Sequence, residues 1–143
     1  MSNTMQCDII SAKESIFSGE VTMCIASGIS GELGIMPRHA PLMTMLRPGP
    51  VRVMMPDGEE IIFVAGGGIL EVMPHMVTVL ADMAERADHL DEAAALRAKD
   101  EAERVLATRS GEMDIAEAQV KLAEAIAQLQ ALERLHQKAR RKR

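Results

Sequence analysis

All six prolines and nine of the ten glycines in this chain fall before Ala87. Behind that point a single glycine, Gly111, interrupts the sequence. Proline fixes its own backbone angle and removes a donor, while glycine reaches angles that other residues avoid. A chain punctuated in this way cannot build long helices in its first half, and nothing prevents them in its second. The front is cut into short apolar runs at 6–10, 21–27, 51–55, 60–65, 69–72 and 76–80, each with strand character. Pro56-Asp57-Gly58 between two of them forms a hairpin turn, with proline presetting the first turn position and glycine tolerating a positive φ. Gly66-Gly67-Gly68 marks a sharp bend where backbones approach closely. A phosphate-cradling loop is the other use of such glycines, but the following helix start and the Lys-Ser/Thr pair are missing. Many short strands with frequent turns indicate a β-sandwich or small barrel.

From 88 to about 107 the residues are mainly Ala, Leu, Glu, Arg and Lys, all strong helix formers. Asp88 is the expected N-cap, with Asp91 three residues on. The segment 108–111 breaks the run. Asp114 and Glu117 then resemble a capping arrangement opening a second helix, which continues to about residue 139 and spans roughly 39 Å. A break this short predicts an antiparallel hairpin. The fold class is thus α+β, with a division at 1–86 and 87–143. In the second helix Ile115, Ala118, Leu122, Ala125, Leu129 and Leu132 recur at spacings of three and four, as do Ala95, Ala98, Ala102 and Val105 in the first. The first stripe is mostly methyl groups, and each buried methyl contributes only about 0.8 kcal/mol. Such a seam suits either a hairpin that opens under modest bias or a static pair stabilised by docking on the sandwich.

Composition narrows the function. Aromatics make up 1% of the chain, only Phe17 and Phe63, which argues against stacking of nucleic-acid bases. Twelve methionines take their place as adaptable core filling, a partner-binding surface being the other use of such side chains. Six basic residues and no acidic one follow from Arg134 to the end, on a chain of net charge −5. That tail suits an acidic partner, a nucleic acid or an anionic membrane, and it also complements a helix dipole. Cys7 and Cys24 sit in apolar runs without metal-ligand spacing, as reduced buried thiols do. No apolar run reaches the roughly 20 residues needed to span a bilayer. His39, His75, His89 and His136 are scattered, and no serine has a nucleophile-elbow context. No catalytic residue or metal ligand is assigned.

The eleven residues from Gly31 to Pro41 stand apart: two glycines and two prolines bracket Glu32, Arg38 and His39. The segment reads as a shaped loop rather than a regular element. Its fixed directions are what a docking loop needs, and equally what a tight structural turn needs. Glu32-Leu33-Gly34-Ile35-Met36-Pro37, His39-Ala40-Pro41 and Leu46-Arg47-Pro48-Gly49 together resemble the epsilon subunit of F-type ATP synthases. Phe17-Ser18-Gly19-Glu20, Gly67-Gly68-Ile69-Leu70-Glu71-Val72, Val77-Thr78-Val79-Leu80-Ala81-Asp82 and Leu90-Asp91-Glu92-Ala93 extend the likeness, in order, over nearly the whole chain. The family usually carries glycine where this chain has Arg38.

The resemblance implies a β-sandwich of about ten strands followed by an antiparallel two-helix hairpin. It implies a non-catalytic rotor part of the central stalk, which joins the gamma subunit and the c-ring to the catalytic head. Glu32, Arg38 and His39 then face the c-ring, and Ser11, His39 and Thr44 face gamma. In bacterial relatives the hairpin opens into the head and blocks ATP hydrolysis. The tail residues Arg134, Lys138, Arg140, Arg141, Lys142 and Arg143 would then meet acidic segments of the catalytic alpha and beta subunits. The expected place is peripheral, on the cytoplasmic side of a bacterial inner membrane, with no nucleic-acid partner and no homo-oligomer required. Some relatives bind ATP through a Leu/Ile-Asp-x-x-Arg-Ala pattern. Here Asp91 is present, but Ala94 stands where the arginine belongs and Arg97 lies one turn later, so no cofactor is expected. A free-standing adaptor or nucleotide-sensing module is the alternative.

Overall fold

The computed structural model describes residues 3–108 and 112–142. Ten strands come first: β1 (Met5–Ser11), β2 (Ser15–Val21), β3 (Met23–Gly28), β4 (Gly31–Ile35), β5 (Leu42–Leu46), β6 (Gly49–Met54), β7 (Glu60–Ala65), β8 (Gly68–Met73), β9 (Met76–Ala81) and β10 (Ala84–Arg86). A 3-10 turn, Ala87–His89, leads to α1 (Glu92–Thr108) and α2 (Glu112–Arg141). The strands form one continuous sheet folded into two layers. One layer runs β4-β3-β6-β7-β10 and the other β5-β8-β9-β1-β2. A single residue pair, Gly28 with Leu46, joins them through β3 and β5. All pairings are antiparallel except β1 with β9.

The chain changes layer at its turn residues. Gly66-Gly67-Gly68 carries it from β7 to β8, with φ +113° at Gly67 and +140° at Gly68. A Cβ on Gly68 would lie 2.0 Å from the Leu80 carbonyl oxygen, so this is the close approach that the glycine run foretold. The expected hairpin at Pro56 also forms: the Gly58 N–H donates to Met55 O at 2.9 Å, and Asp57 Oδ1 accepts from Glu59 N at 2.8 Å.

Between the layers lie Ile9, Val21, Ile35, Val51, Val53, Phe63, Leu70, Val72, Val77 and Val79, all buried. Phe17 and Phe63 meet across the gap with ring centroids 5.5 Å apart. The two thiols also meet there. Cys7 on β1 and Cys24 on β3 are free and buried, and a hydrogen bond with Cys24, reinforced by burial, pushes the Cys7 thiol pKa up strongly.

β7 reads Glu-Ile-Ile-Phe-Val-Ala, without alternation, because both of its faces are covered. Phe63 points into the core. Ile62 and Val64 point outward, where they pack with Ala87, Ala127 and Ala131, flanked by Leu90 and Leu135. Covering Ile62 and Val64 contributes on the order of 3–6 kcal/mol. This is how α2 docks on the sandwich. α2 therefore carries two apolar stripes where the sequence reading saw one. Ala118 and Ala125 line the seam with Ala102 of α1, while Ala127 and Ala131 face the sheet. The helices are antiparallel: Glu92, at the start of α1, lies 4.0 Å from His136 near the end of α2.

Several sequence expectations need correction. Gly31–Ile35 is strand β4, paired along β3, so only the second part of the presumed loop is irregular. The single run 21–27 is two strands that change layer around Thr22. Asp88 does not cap α1. It lies in the 3-10 turn, and the cap is Asp91, whose Oδ1 accepts from Ala94 N at 3.2 Å. α2 begins at Glu112, which places Asp114 inside the helix. Ala98, placed in the seam by spacing, stays exposed at the edge of a cleft. Of the expected helix break at 108–111, Thr108 is the last residue of α1, and the rest lies outside the described residues.

Candidate functional site

Three surface regions gather the residues singled out by sequence. The first is the turn after β4. The His39 N–H donates to Met36 O at 3.2 Å, closing a four-residue turn with Pro37 at its second position and Arg38 at its third. Arg38 adopts φ +70°, and among the described residues it is the only non-glycine with a positive φ. This is the geometry of a type II turn, which favours glycine at the third position. The physical reason for the family's glycine is therefore visible in the backbone. The Arg38 N–H donates to Pro74 O at 2.8 Å, tying the turn to the β8–β9 connection. The Arg38 side chain borders a cleft with Pro37, Gln6, Glu20 and His75. His39 Nδ1 lies 2.7 Å from Ala40 O, a contact that requires the proton on Nδ1.

Glu32 sits elsewhere. On β4 it pairs with Ser27, and it opens onto a cleft of about 410 Å³ between the first layer and α2, lined also by Arg47, Glu133, Arg134 and Gln137. The structure thus separates Glu32 from Arg38 and brings Glu32 together with the tail residue Arg134. The Glu32 carboxylate is 3.9 Å from Arg52 on β6. Arg52 donates to Glu60 Oε1 at 3.3 Å, and both of these side chains are only 13% exposed. Lys138 of α2 donates in turn to the Glu60 main-chain oxygen. Arg140 pairs with Glu133 at 3.3 Å, and Arg141 and Lys142 are exposed. Arg143 lies outside the described residues.

The third region is the outward face of β5, β8 and β9. Register places Met45, Ile69 and Leu80 in one row, with Met43 on one side and Met73 and Met76 at the far end. All six are exposed, Met43 and Met45 by 66% and 61%. Sequence reading missed β5 and with it this face, because methionine carries little strand signal and no polar alternation marks its outer side. Thr44 lies between the two methionines, half-buried on the side of Leu42 and Leu46. Ser11 is occupied by its own turn, accepting from Lys13 N at 3.3 Å and Glu14 N at 3.2 Å.

At the start of α1 the Asp91 carboxylate caps the helix, and Ala94 is exposed. The cleft between the helices, about 540 Å³, has an alanine floor and a rim of Glu101, Asp114, Glu117 and Glu124 against Lys121 alone. The Lys121 ammonium holds the Glu117 carboxyl below its usual range. At the hinge Arg86 grips Asp88 with two hydrogen bonds, 3.0 and 2.8 Å, and lowers its pKa. Among the described residues no three His, Cys, Asp or Glu side chains are placed to hold a metal ion, and no helix is long and apolar enough to cross a membrane.

An exposed apolar sheet face, a charged strand tip and a helical pair seated on the sandwich define a two-part docking protein. The sequence model of the ATP synthase delta/epsilon chain β-sandwich domain matches residues 4–87, and that of the long α-helix domain matches residues 88–133. The chain belongs to the ATP synthase delta/epsilon family, on its epsilon side. It is 59% identical over 133 residues to the ATP synthase epsilon chain of Stenotrophomonas maltophilia, covering 93% of this chain and 95% of that one. It is 56% identical over 136 residues to the epsilon chain of Acinetobacter baumannii, covering 95% and 98%. A chain in the cryo-EM structure of the Euglena gracilis mitochondrial ATP synthase OSCP/F1/c-ring shares the fold, with a TM-score of 0.82 at 20% identity, covering 92% of this chain and 83% of that one.

Proposed function

We propose that this chain is a non-catalytic subunit of the central stalk, coupling the catalytic head of a proton-translocating ATP synthase to its c-ring. In this reading residues 1–86 dock on gamma and the ring, and residues 87–143 regulate. The observation that carries it is the exposed cluster of Met43, Met45, Ile69 and Leu80, with Met73 and Met76 beyond Glu71 and Thr78 on the same face. Exposed apolar side chains clustered on a sheet face mark a protein–protein contact, and flexible methionines suit a partner that turns and loads it. Gamma is the partner proposed for that face, and Ser11, His39 and Thr44 are proposed for the same contact. Glu32, Arg38 and His39 are proposed for the ring.

The protein would then reside at the cytoplasmic side of a bacterial inner membrane, held there by the complex. The cationic residues Arg134, Lys138, Arg140, Arg141, Lys142 and Arg143 are proposed to contact the catalytic alpha and beta subunits when the hairpin opens, inhibiting hydrolysis. Charge complementarity of this kind steers a partner and fixes its register. The test is reconstitution of the complex with the double variant M45D/I69D and, separately, with the chain ended after Thr108. The double variant is expected to lose capture by gamma with its circular dichroism unchanged, and the shortened chain to assemble with raised ATPase activity. Normal capture of the double variant would remove the docking face, and unchanged hydrolysis with the shortened chain would remove inhibition.

A further inference from the structure

The strand tip and the helical arm border one cleft, with the Glu32 carboxylate on one wall and Arg134 on the other. Arg52 lies in register with Ile62, so its side chain emerges on the sheet face that α2 covers. There it stands between Glu60, at 3.3 Å, and Glu32, at 3.9 Å. α2 brings cations to this place: Lys138 to the Glu60 carbonyl, and Arg134 to the wall of the cleft that Glu32 and Arg47 border. The cations facing one another are thus Arg47 and Arg52 from the sandwich, and Arg134 and Lys138 from α2. The anions among them are Glu32, Glu60, Glu133 and Asp88, which feels the Lys138 charge; Glu133 is already paired with Arg140, and Asp88 with Arg86. Without Glu32, four cations face Glu60 and two committed carboxylates, and the seat of α2 is weakened.

We infer that Glu32 holds the cationic end of α2 on the sandwich, and that a partner loop bearing Lys or Arg competes for the same carboxylate. This rests on the reading of Glu32 as a ring contact. Engagement of the ring then loosens α2 directly, by withdrawing one acceptor, and no relay through the core is involved. The carboxylate is 54% exposed, so a partner reaches it without displacing the helix first. Its effect is that of one surface charge: a bias on the helix, not a lock.

Hydrogen exchange on the full-length chain at low ionic strength tests this. In E32Q the amides of 127–141 are expected to exchange about threefold faster, the size of one exposed charge interaction. Those of 7–9 and 77–79 should not change. E32K should exceed E32Q, and half-molar salt should erase most of the difference. E14Q, far from α2 in the β1–β2 turn, is the control and should match the unsubstituted chain. Unchanged exchange at 127–141 in both Glu32 variants overturns the inference, whether or not ring capture suffers. Acceleration with ring capture intact upholds the clamp on α2 and overturns instead the assignment of Glu32 to the ring.

Discussion

Replacing Arg38 by glycine should make the protein more stable. Arg38 is held at φ +70° by the Met36–His39 turn and by its N–H bond to Pro74. For a residue with a Cβ, the left-handed conformation costs about 1–2 kcal/mol. Glycine escapes that strain but gives the unfolded chain more freedom, which offsets about 0.4–1 kcal/mol. The net gain is about 0.8 kcal/mol. Both backbone hydrogen bonds survive, since neither uses the side chain. With a urea dependence of about 2 kcal/mol per molar, the unfolding midpoint should rise by roughly 0.4 M. Far-ultraviolet circular dichroism is the natural probe, because the chain has no Trp or Tyr. R38A is the control: it removes the guanidinium but keeps the strain, so it should stay within about 0.3 kcal/mol of the parent, as ordinary surface changes do. A glycine variant no more stable than the alanine variant would refute the strain argument. The same pair sorts function, because loss of ring capture in both variants assigns the contact to the charge, and loss in glycine alone assigns it to turn rigidity.

Two further outcomes follow from the core. G68A should cost about 3 kcal/mol or more, because its Cβ would fall 2.0 Å from the Leu80 carbonyl at an angle that L-residues avoid, and a urea midpoint near the parent's would contradict this. The Cys7 thiol is pushed up by Cys24 and by burial, so the folded chain keeps a proton that the unfolded chain releases above its ordinary pKa near 9.0. Stability should therefore be full below that pH and fall above it, by about 1.4 kcal/mol per unit, with the slope relieved in C7A. A flat profile between pH 9 and 10.5 would contradict it.

How far the sequence could be read depended on whether burial left a local trace. β7 showed itself because two covered faces require an unbroken apolar run, and the helices showed themselves through alanine, leucine and charge. β4 was hidden by Gly31 and Gly34, which look like loop residues, although Leu33 and Ile35 carry the alternation. β2 was hidden by Ser18 and Gly19, and β10 by its length of three residues. The cap slid from Asp88 to Asp91 because both are good caps, and only the bonds of Arg86 to Asp88 decide between them. At the site, residue types pointed to Glu32 and to the tail separately. Their meeting in one cleft depends on α2 lying over β6 and β7, a long-range event with no signature in either segment.

The parallel pairing of β1 with β9 has a consequence for synthesis. Gln6 must wait for Met76, and Ser11 for Ala81, before that side of the first strand acquires its hydrogen bonds. A nascent chain can close the β1–β2 hairpin early, but it carries an unpaired edge until most of the sandwich has left the ribosome. The helices follow that edge in the chain. The arm is thus made last, after every strand on which it comes to rest, and the basic tail is the final part of the chain to appear.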